Sequence, residues 1–289
     1  MSAMRWNINI CSFALAAIVA LAGCGAASTP SAADEVVTLN YARAGGGAPV
    51  SQSYILLHDG DTALTIANPR ATLLIFVGGR GRLRVSDEEL NIDAVNFLLR
   101  SRHLFASSGQ FNVAVMDAAS DFLALPNGLR GQRTSAEYLE DMRRVIADLR
   151  FRFPGLPVWA VGTSRGSTAA AQAAAELTPA QGPDGIVLTS SVTVDVAGAN
   201  SLNDVALEKI AVPTLITAHR QDACSVTPPG DIKAKIVARL TGTKPKAKIF
   251  VGGFSAISDA CGALSPHGYL GIETTVVRFI SRWIRKRSP

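Results

Sequence analysis

Apolar residues fall along this chain in two alternating rhythms. Short, nearly continuous apolar runs recur at 36–41, 54–57, 72–77, 112–116, 158–161, 185–189, 213–217 and 248–251. Runs of that length without a polar partner at every second position predict strands of a parallel sheet covered on both faces. Between two of them, Leu139, Met142, Val145, Ile146 and Leu149 return at helical spacing. Thr134 and Glu137 stand at capping-box spacing ahead of that helix, and Pro154 follows its end. Ile272, Val276, Ile280, Trp283 and Ile284 predict a second amphipathic helix at the C-terminus. Strand and helix alternate without a repeat period, which implies an α/β fold: a doubly wound, mostly parallel sheet with helices on both faces. In such sheets the chemistry sits at the carboxyl ends of the strands.

The N-terminus breaks this pattern. Arg5 precedes an apolar run over 10–22, which reads as an export signal. The run is too short to span the roughly 30 Å of a bilayer core, which takes about 20 apolar residues. Ala22 and Gly23, directly before Cys24, resemble the lipobox of bacterial lipoproteins. That resemblance implies a signal over 1–23, cleavage before Cys24 and acylation of its sulfur; a plain secretory signal with an incidental cysteine is the alternative. Gly25, standing where an Asp would retain the protein at the inner membrane, favours outer-membrane delivery by the same resemblance. Residues 24–35 are small and polar, as in a flexible tether, which leaves one domain over 36–289.

Composition narrows the classes further. The chain is 48% hydrophobic and 18% charged, which excludes a disordered or fibrous protein. Its net charge of +5 collects in short stretches, Arg80, Arg82 and Arg84, and then Arg282, Arg285, Lys286 and Arg287. That density is too low for a nucleic-acid footprint. Of the cysteines, Cys11 falls within the signal and Cys24 at its end, so the folded domain keeps Cys224 and Cys261. In an oxidising compartment they are a candidate disulfide, with two buried free thiols as the alternative.

The strand run at 158–161 leads into Gly162, Thr163, Ser164, Arg165 and Gly166, and then into an Ala-rich helical stretch over 167–177. This is G-x-S-x-G between a strand and a helix, the context of a nucleophile elbow. Side chains two residues on either side of the serine would collide in so sharp a turn, and glycine at both places removes the collision. Here the sequence resembles the α/β-hydrolase superfamily over nearly the whole of 36–289. The stretches Val161 to Gly166 and Ser265 to Tyr269 look like those of a group of bacterial envelope hydrolases of undefined substrate. The resemblance implies the chain order nucleophile, acid, histidine. The stretch from Ser190 to Val212 is too short for a large cap domain.

A neutral serine hydroxyl needs a base. Of the four histidines, His58 and His103 precede the serine and read as structural or solvated, and His219 ends a strand and reads as a packing residue. His267, in the loop before the last helix, stands where the superfamily places its base. Asp222, just beyond the strand at 213–217, stands where it places its acid; Asp195, after the preceding strand, is the competitor. If those two loops converge, Cys224 and Cys261 become neighbours. An acyl-transfer site also needs oxyanion donors. The amide of Arg165 supplies one by position, and the loop Gly78, Gly79, Arg80, Gly81 supplies a second, assigned to Gly79. Asp117 and Asp121 lack clustered His or Cys, and no phosphate-binding Gly-Lys-Ser/Thr appears, so neither a metal nor another cofactor is expected. The expected activity is hydrolysis of a carboxylic ester, on a small molecule or a polymer end, through Ser164, His267 and Asp222, in an envelope protein held to its membrane by lipid. A peptidase or thioesterase on the same triad, or a catalytically silent binding lipoprotein, are the other readings.

Overall fold

Eight strands form one sheet in the computed structural model, which describes residues 35–44, 46–57, 68–85, 96–107 and 110–288. The expected signal at 1–23 and Cys24 lie outside these residues, as do all of the tether but its last residue, and His58. In chain order the elements are β1 (Glu35–Ala42), β2 (Pro49–Leu57), β3 (Ala71–Phe76), α1 (Phe97–Arg100), α2 (Arg102–Ser107), β4 (Phe111–Met116) and α3 (Ser120–Ala124). They continue with α4 (Ala136–Arg152), β5 (Val158–Thr163), α5 (Arg165–Glu176), β6 (Gly185–Thr189), β7 (Thr214–His219), β8 (Lys246–Phe250) and α6 (Glu273–Arg285). Glu35, the last residue of the expected tether, already pairs in β1.

The strands lie in the order β1-β2-β4-β3-β5-β6-β7-β8. β2 runs antiparallel to both of its neighbours, and β3 to β8 are mutually parallel. Alternate residues of the central strands feed two separate cores. Leu74, Phe76 and Ala160 pack with Met142, Val145 and Ile146 of α4 and with Ala169, Ala170 and Ala173 of α5. Leu73, Ile75 and Val161 pack with Phe97, Phe105 and Val276, Ile280 and Ile284 of α6. Burial on both faces is why these strands read as unbroken apolar runs.

The start of α4 differs from the expected capping box by one residue. Ser135 is the N-cap, its hydroxyl accepting from the Tyr138 amide at 3.2 Å. The Thr134 hydroxyl instead accepts from Asn200 Nδ2 at 2.9 Å, so the next hydroxyl takes the cap. Glu137 then sits in the first turn, where the helix dipole favours an acid. Between β6 and β7 the chain forms only two short 3-10 turns, Leu202–Asp204 and Leu207–Lys209, and no large cap covers the sheet among the described residues.

Two loops at the carboxyl edge are joined covalently. Cys224, after β7, and Cys261, after β8, form a disulfide with their Cα atoms 4.5 Å apart. The bridge closes a loop with a sequence separation of 37, for which the chain-entropy estimate is roughly 4 kcal/mol. Replacing both cysteines with alanine is expected to lower Tm by roughly 10 °C. Thermal unfolding with and without reductant checks this: the wild type should fall to the variant's Tm on reduction, and the variant should not respond.

Candidate active site

The site begins where β5 turns into α5. Gly162 and Gly166 approach so closely that a Cβ on Gly162 would lie 2.2 Å from the Gly166 carbonyl oxygen. A Cβ on Gly166 would lie 2.1 Å from the carbonyl oxygen of Phe76 on β3. Between them Ser164 is held at φ 53° and ψ −126°, a conformation that costs a residue with a side chain on the order of 1–3 kcal/mol. Its amide donates to the Thr189 carbonyl of β6 at 3.0 Å, and its own carbonyl accepts from the Ser167 hydroxyl at 2.6 Å. The turn is thus tied to the next strand and to its own helix. Arg165 is the first residue of α5, so its amide has no acceptor within the helix and stands at the positive end of the dipole.

His267 lies on a 3-10 turn, Pro266–Gly268, before α6. The Ser265 hydroxyl accepts from the His267 amide at 3.1 Å, and the His267 carbonyl accepts from the Ser190 hydroxyl at 2.8 Å. Its ring Nδ1 is 2.9 Å from Asp222 Oδ2, with both residues buried. A carboxylate facing Nδ1 keeps the proton there and leaves Nε2 with a free lone pair. Asp222 in turn accepts from the Cys224 amide at Oδ1 (3.0 Å) and from the Thr227 hydroxyl at Oδ2 (3.0 Å). Ser164 and His267 line one cavity of about 60 Å³ together with Gly78, Gly79 and Asn96.

The other candidates separate clearly. Both ring nitrogens of His219 are occupied, Nε2 at 2.8 Å from the Gly252 carbonyl and Nδ1 accepting from the Gln221 amide at 3.1 Å. His103 sits on α2, away from this cavity. Asp195 accepts from Ser201 and Asn203, which hold its carboxyl below the usual range. Asp121 pairs with Arg43. Asp117, buried at the end of β4, accepts from the amides of Leu83, Val85 and Ala118. Burial pushes its carboxyl up while those amides pull it back, so its place is in holding the loop after β3. Asp222, Cys224 and His267 are the one group among the described residues close enough to share a metal ion. Their atoms are committed elsewhere, the Cys224 sulfur to the disulfide and Nδ1 of His267 to the carboxylate.

In the loop after β3, Gly79 has φ +60°, and a Cβ on Gly78 would touch that of Ser164 at 3.0 Å. Three residues that the sequence reading did not single out also shape the site. Asn96 caps α1, its Oδ1 accepting from the Leu98 amide at 3.1 Å, while its Nδ2 lies 3.5 Å from that same position on Gly78. Thr227 bridges acid and base, its hydroxyl 3.1 Å from His267 Nδ1. Arg133, fully buried, donates to the carbonyls of Val77 at 2.9 Å and Gly79 at 3.3 Å. A capping Asn before an apolar run was the only sequence signal among them; the others depend on contacts distant in the chain.

No protein-family model and no curated protein matches the chain. Solved structures do resemble it. A soluble variant of the monoglyceride lipase of Saccharomyces cerevisiae, bound to a substrate analog, superposes with a TM-score of 0.58 at 9% identity, covering 90% of this chain and 97% of that one. A cold-adapted esterase from an Arctic intertidal metagenomic library gives 0.56 at 10% identity, covering 90% and 97%. XC6422 from Xanthomonas campestris, described as an α/β serine hydrolase without a lid, gives 0.51 at 14% identity, covering 88% and 96%. With its strand order, its elbow and these neighbours, the chain has the α/β-hydrolase fold.

Proposed function

We propose that this protein is a serine hydrolase of carboxylic esters, with Ser164 as nucleophile, His267 as general base and acid, and Asp222 as the residue that orients the imidazole. The observation that carries the reading is the 2.9 Å contact between His267 Nδ1 and Asp222 Oδ2, on a histidine that shares a cavity with the elbow serine. Ser164 Oγ attacks the ester carbonyl as its proton passes to His267 Nε2. The tetrahedral oxyanion is met by the Arg165 amide and by the loop of Gly79, donors worth roughly 3 to 4 kcal/mol each in such sites. His267 returns the proton to the departing alcohol, and water, deprotonated by the same nitrogen, cleaves the acyl-Ser164. The Asp222 carboxylate stabilises the imidazolium that forms in each half-reaction.

The reading extends to the N-terminus. Arg5, the apolar run at 10–22 and Ala22-Gly23-Cys24 support a lipoprotein acylated at Cys24 and delivered to the cell envelope, with the outer membrane favoured by Gly25. No helix among the described residues is long and apolar enough to cross a membrane. Two or three acyl chains at one cysteine would hold the domain firmly, where one chain would bind only marginally.

Turnover of a p-nitrophenyl ester and labelling by a fluorophosphonate test the chemistry. Ser164→Ala should abolish labelling, and Ser164→Ala and His267→Ala should each lower kcat by several powers of ten, with Asp222→Asn losing roughly 10⁴. His219→Ala should keep most of the activity; loss there in place of His267→Ala would reassign the base. Thr227→Val should lower kcat by about tenfold, since the hydroxyl that supports both partners is lost while their own contact remains. For the anchor, the native protein should partition into detergent and Cys24→Ser should not. An unmodified N-terminus elsewhere than Cys24, seen by mass spectrometry, would defeat that part alone.

A further inference from the structure

The loop after β3 is built to present arginines. Leu83 and Val85 are buried, 3% and 4% exposed, and Asp117 holds their amides at 2.7 and 3.1 Å. With alternate residues pinned into the core, Arg82 and Arg84 are left on the other side, beside Arg80. All three line a cavity of about 680 Å³, within the range of small-molecule sites. That cavity shares Gly78, Gly79, Asn96 and Ala263 with the small cavity of Ser164 and His267, so the two adjoin.

These guanidiniums have no carboxylate partner among the described residues. Arg43, Arg100, Arg143, Arg150 and Arg152, by contrast, each pair with an acid. Among the described residues, Asp117, which holds this loop, spends its oxygens on backbone amides. The surroundings add to the positive field. Arg133 is 1% exposed with Nε and Nη1 unpartnered, and Arg165 Nη1 is likewise buried without a partner. Arg133 feels the charge of Arg165, which in turn feels that of Arg130. Like charges brought together repel, and a guanidinium fork matches an oxyanion with two parallel hydrogen bonds.

We infer that the ester cleaved at Ser164 carries a second, anionic group, a carboxylate or phosphate, which Arg80, Arg82 and Arg84 hold in the cavity beside the nucleophile. The inference rests on the proposed hydrolase reading and deepens it. An acyl part short enough to keep its anion in this cavity would be drawn in by the field and oriented by the fork, with the scissile carbonyl at Ser164.

The test compares three p-nitrophenyl esters on the full chain: pentanoate, hemiglutarate and 4-phosphonobutyrate. Wild type should favour at least one anionic ester over pentanoate by about tenfold or more in kcat/KM, the scale of one charge-assisted hydrogen bond. Which anionic ester is preferred distinguishes carboxylate from phosphate. The preference should shrink as ionic strength rises, a readout that needs no variant. Arg84→Gln, at an exposed position, should reduce the preference mainly through KM, and Arg82→Lys should do so although the charge is kept, because the fork is lost. Equal turnover of the neutral and anionic esters by wild type would overturn the inference and leave the hydrolase reading intact. Absence of both turnover and fluorophosphonate labelling would remove the hydrolase reading, and the inference with it.

Discussion

Where β3, β5 and α5 meet, the backbones stand too close for any side chain between them. A Cβ on Gly166 would sit 2.1 Å from the Phe76 carbonyl oxygen, and one on Gly162 2.2 Å from the Gly166 carbonyl oxygen. That crowding leaves Ser164 no relaxed conformation and forces it to φ 53°. The strain persists because the helix and strands that impose it are each anchored in a core, α5 through its alanines and β5 through both of its faces. A small residue at every third or fourth position of α5 is thus part of the same constraint: a larger side chain would lift the helix from the sheet and relax the turn. What the packing yields is a hydroxyl that stands clear of the sheet with its own amide already satisfied by β6.

His267 lines the same cavity as Ser164 because β5, β6, β7 and β8 run parallel, so the loops that follow them open on the same edge. Asp222 and His267 arrive on separate loops and are 45 residues apart, which makes their relative position a matter of cross-links. Such links include the disulfide from Cys224 to Cys261, the Thr227 hydroxyl beside both side chains, and the Ser190 hydroxyl on the His267 carbonyl. The last ties the histidine to the loop after β6, where Asp195 is turned instead toward Ser201 and Asn203. A displacement of about 1 Å at such a contact can cost a hundredfold in rate, so the density of links around these two loops is in proportion to the task.

The central strands, β3 to β7, were legible because both of their faces are buried, and each apolar run lies within a few residues of its strand. β2 departs from this: its first half, 49–53, carries Ser51, Gln52 and Ser53, which hydrogen-bond to Ser120, Asn40, Asp117 and Thr38, contacts that composition does not record. The serine was legible because its constraint is local and steric, and glycine is the only residue that meets it. Thr227 and Arg133 were not, because a hydroxyl or a guanidinium has no local pattern to obey when its partner lies 40 or 56 residues away. The one-residue shift at the start of α4 has the same origin, since Asn200 competes for the hydroxyl of Thr134 from another loop.

Arg133 shows how a buried charge can serve the site without touching it. Burial lowers its pKa, and a neutral side chain would fill the space at less cost. Its guanidinium, however, grips the carbonyls of Val77 and Gly79 from outside the small cavity, whose lining does not include it. In a trans peptide the carbonyl and the following N–H point in opposite directions. Turning those two carbonyls toward Arg133 therefore turns the amides of Gly78 and Arg80 away from it. A positive charge at the carbonyl end also polarises each peptide group, which strengthens its N–H as a donor. The amide of Arg80 is thus directed to the far side of the loop, and the loop holds this orientation before any substrate arrives. An electrostatic site gains from such preorganisation because no dipoles remain to be reoriented when negative charge develops. The cost of burying Arg133 is then the cost of having that orientation ready in advance.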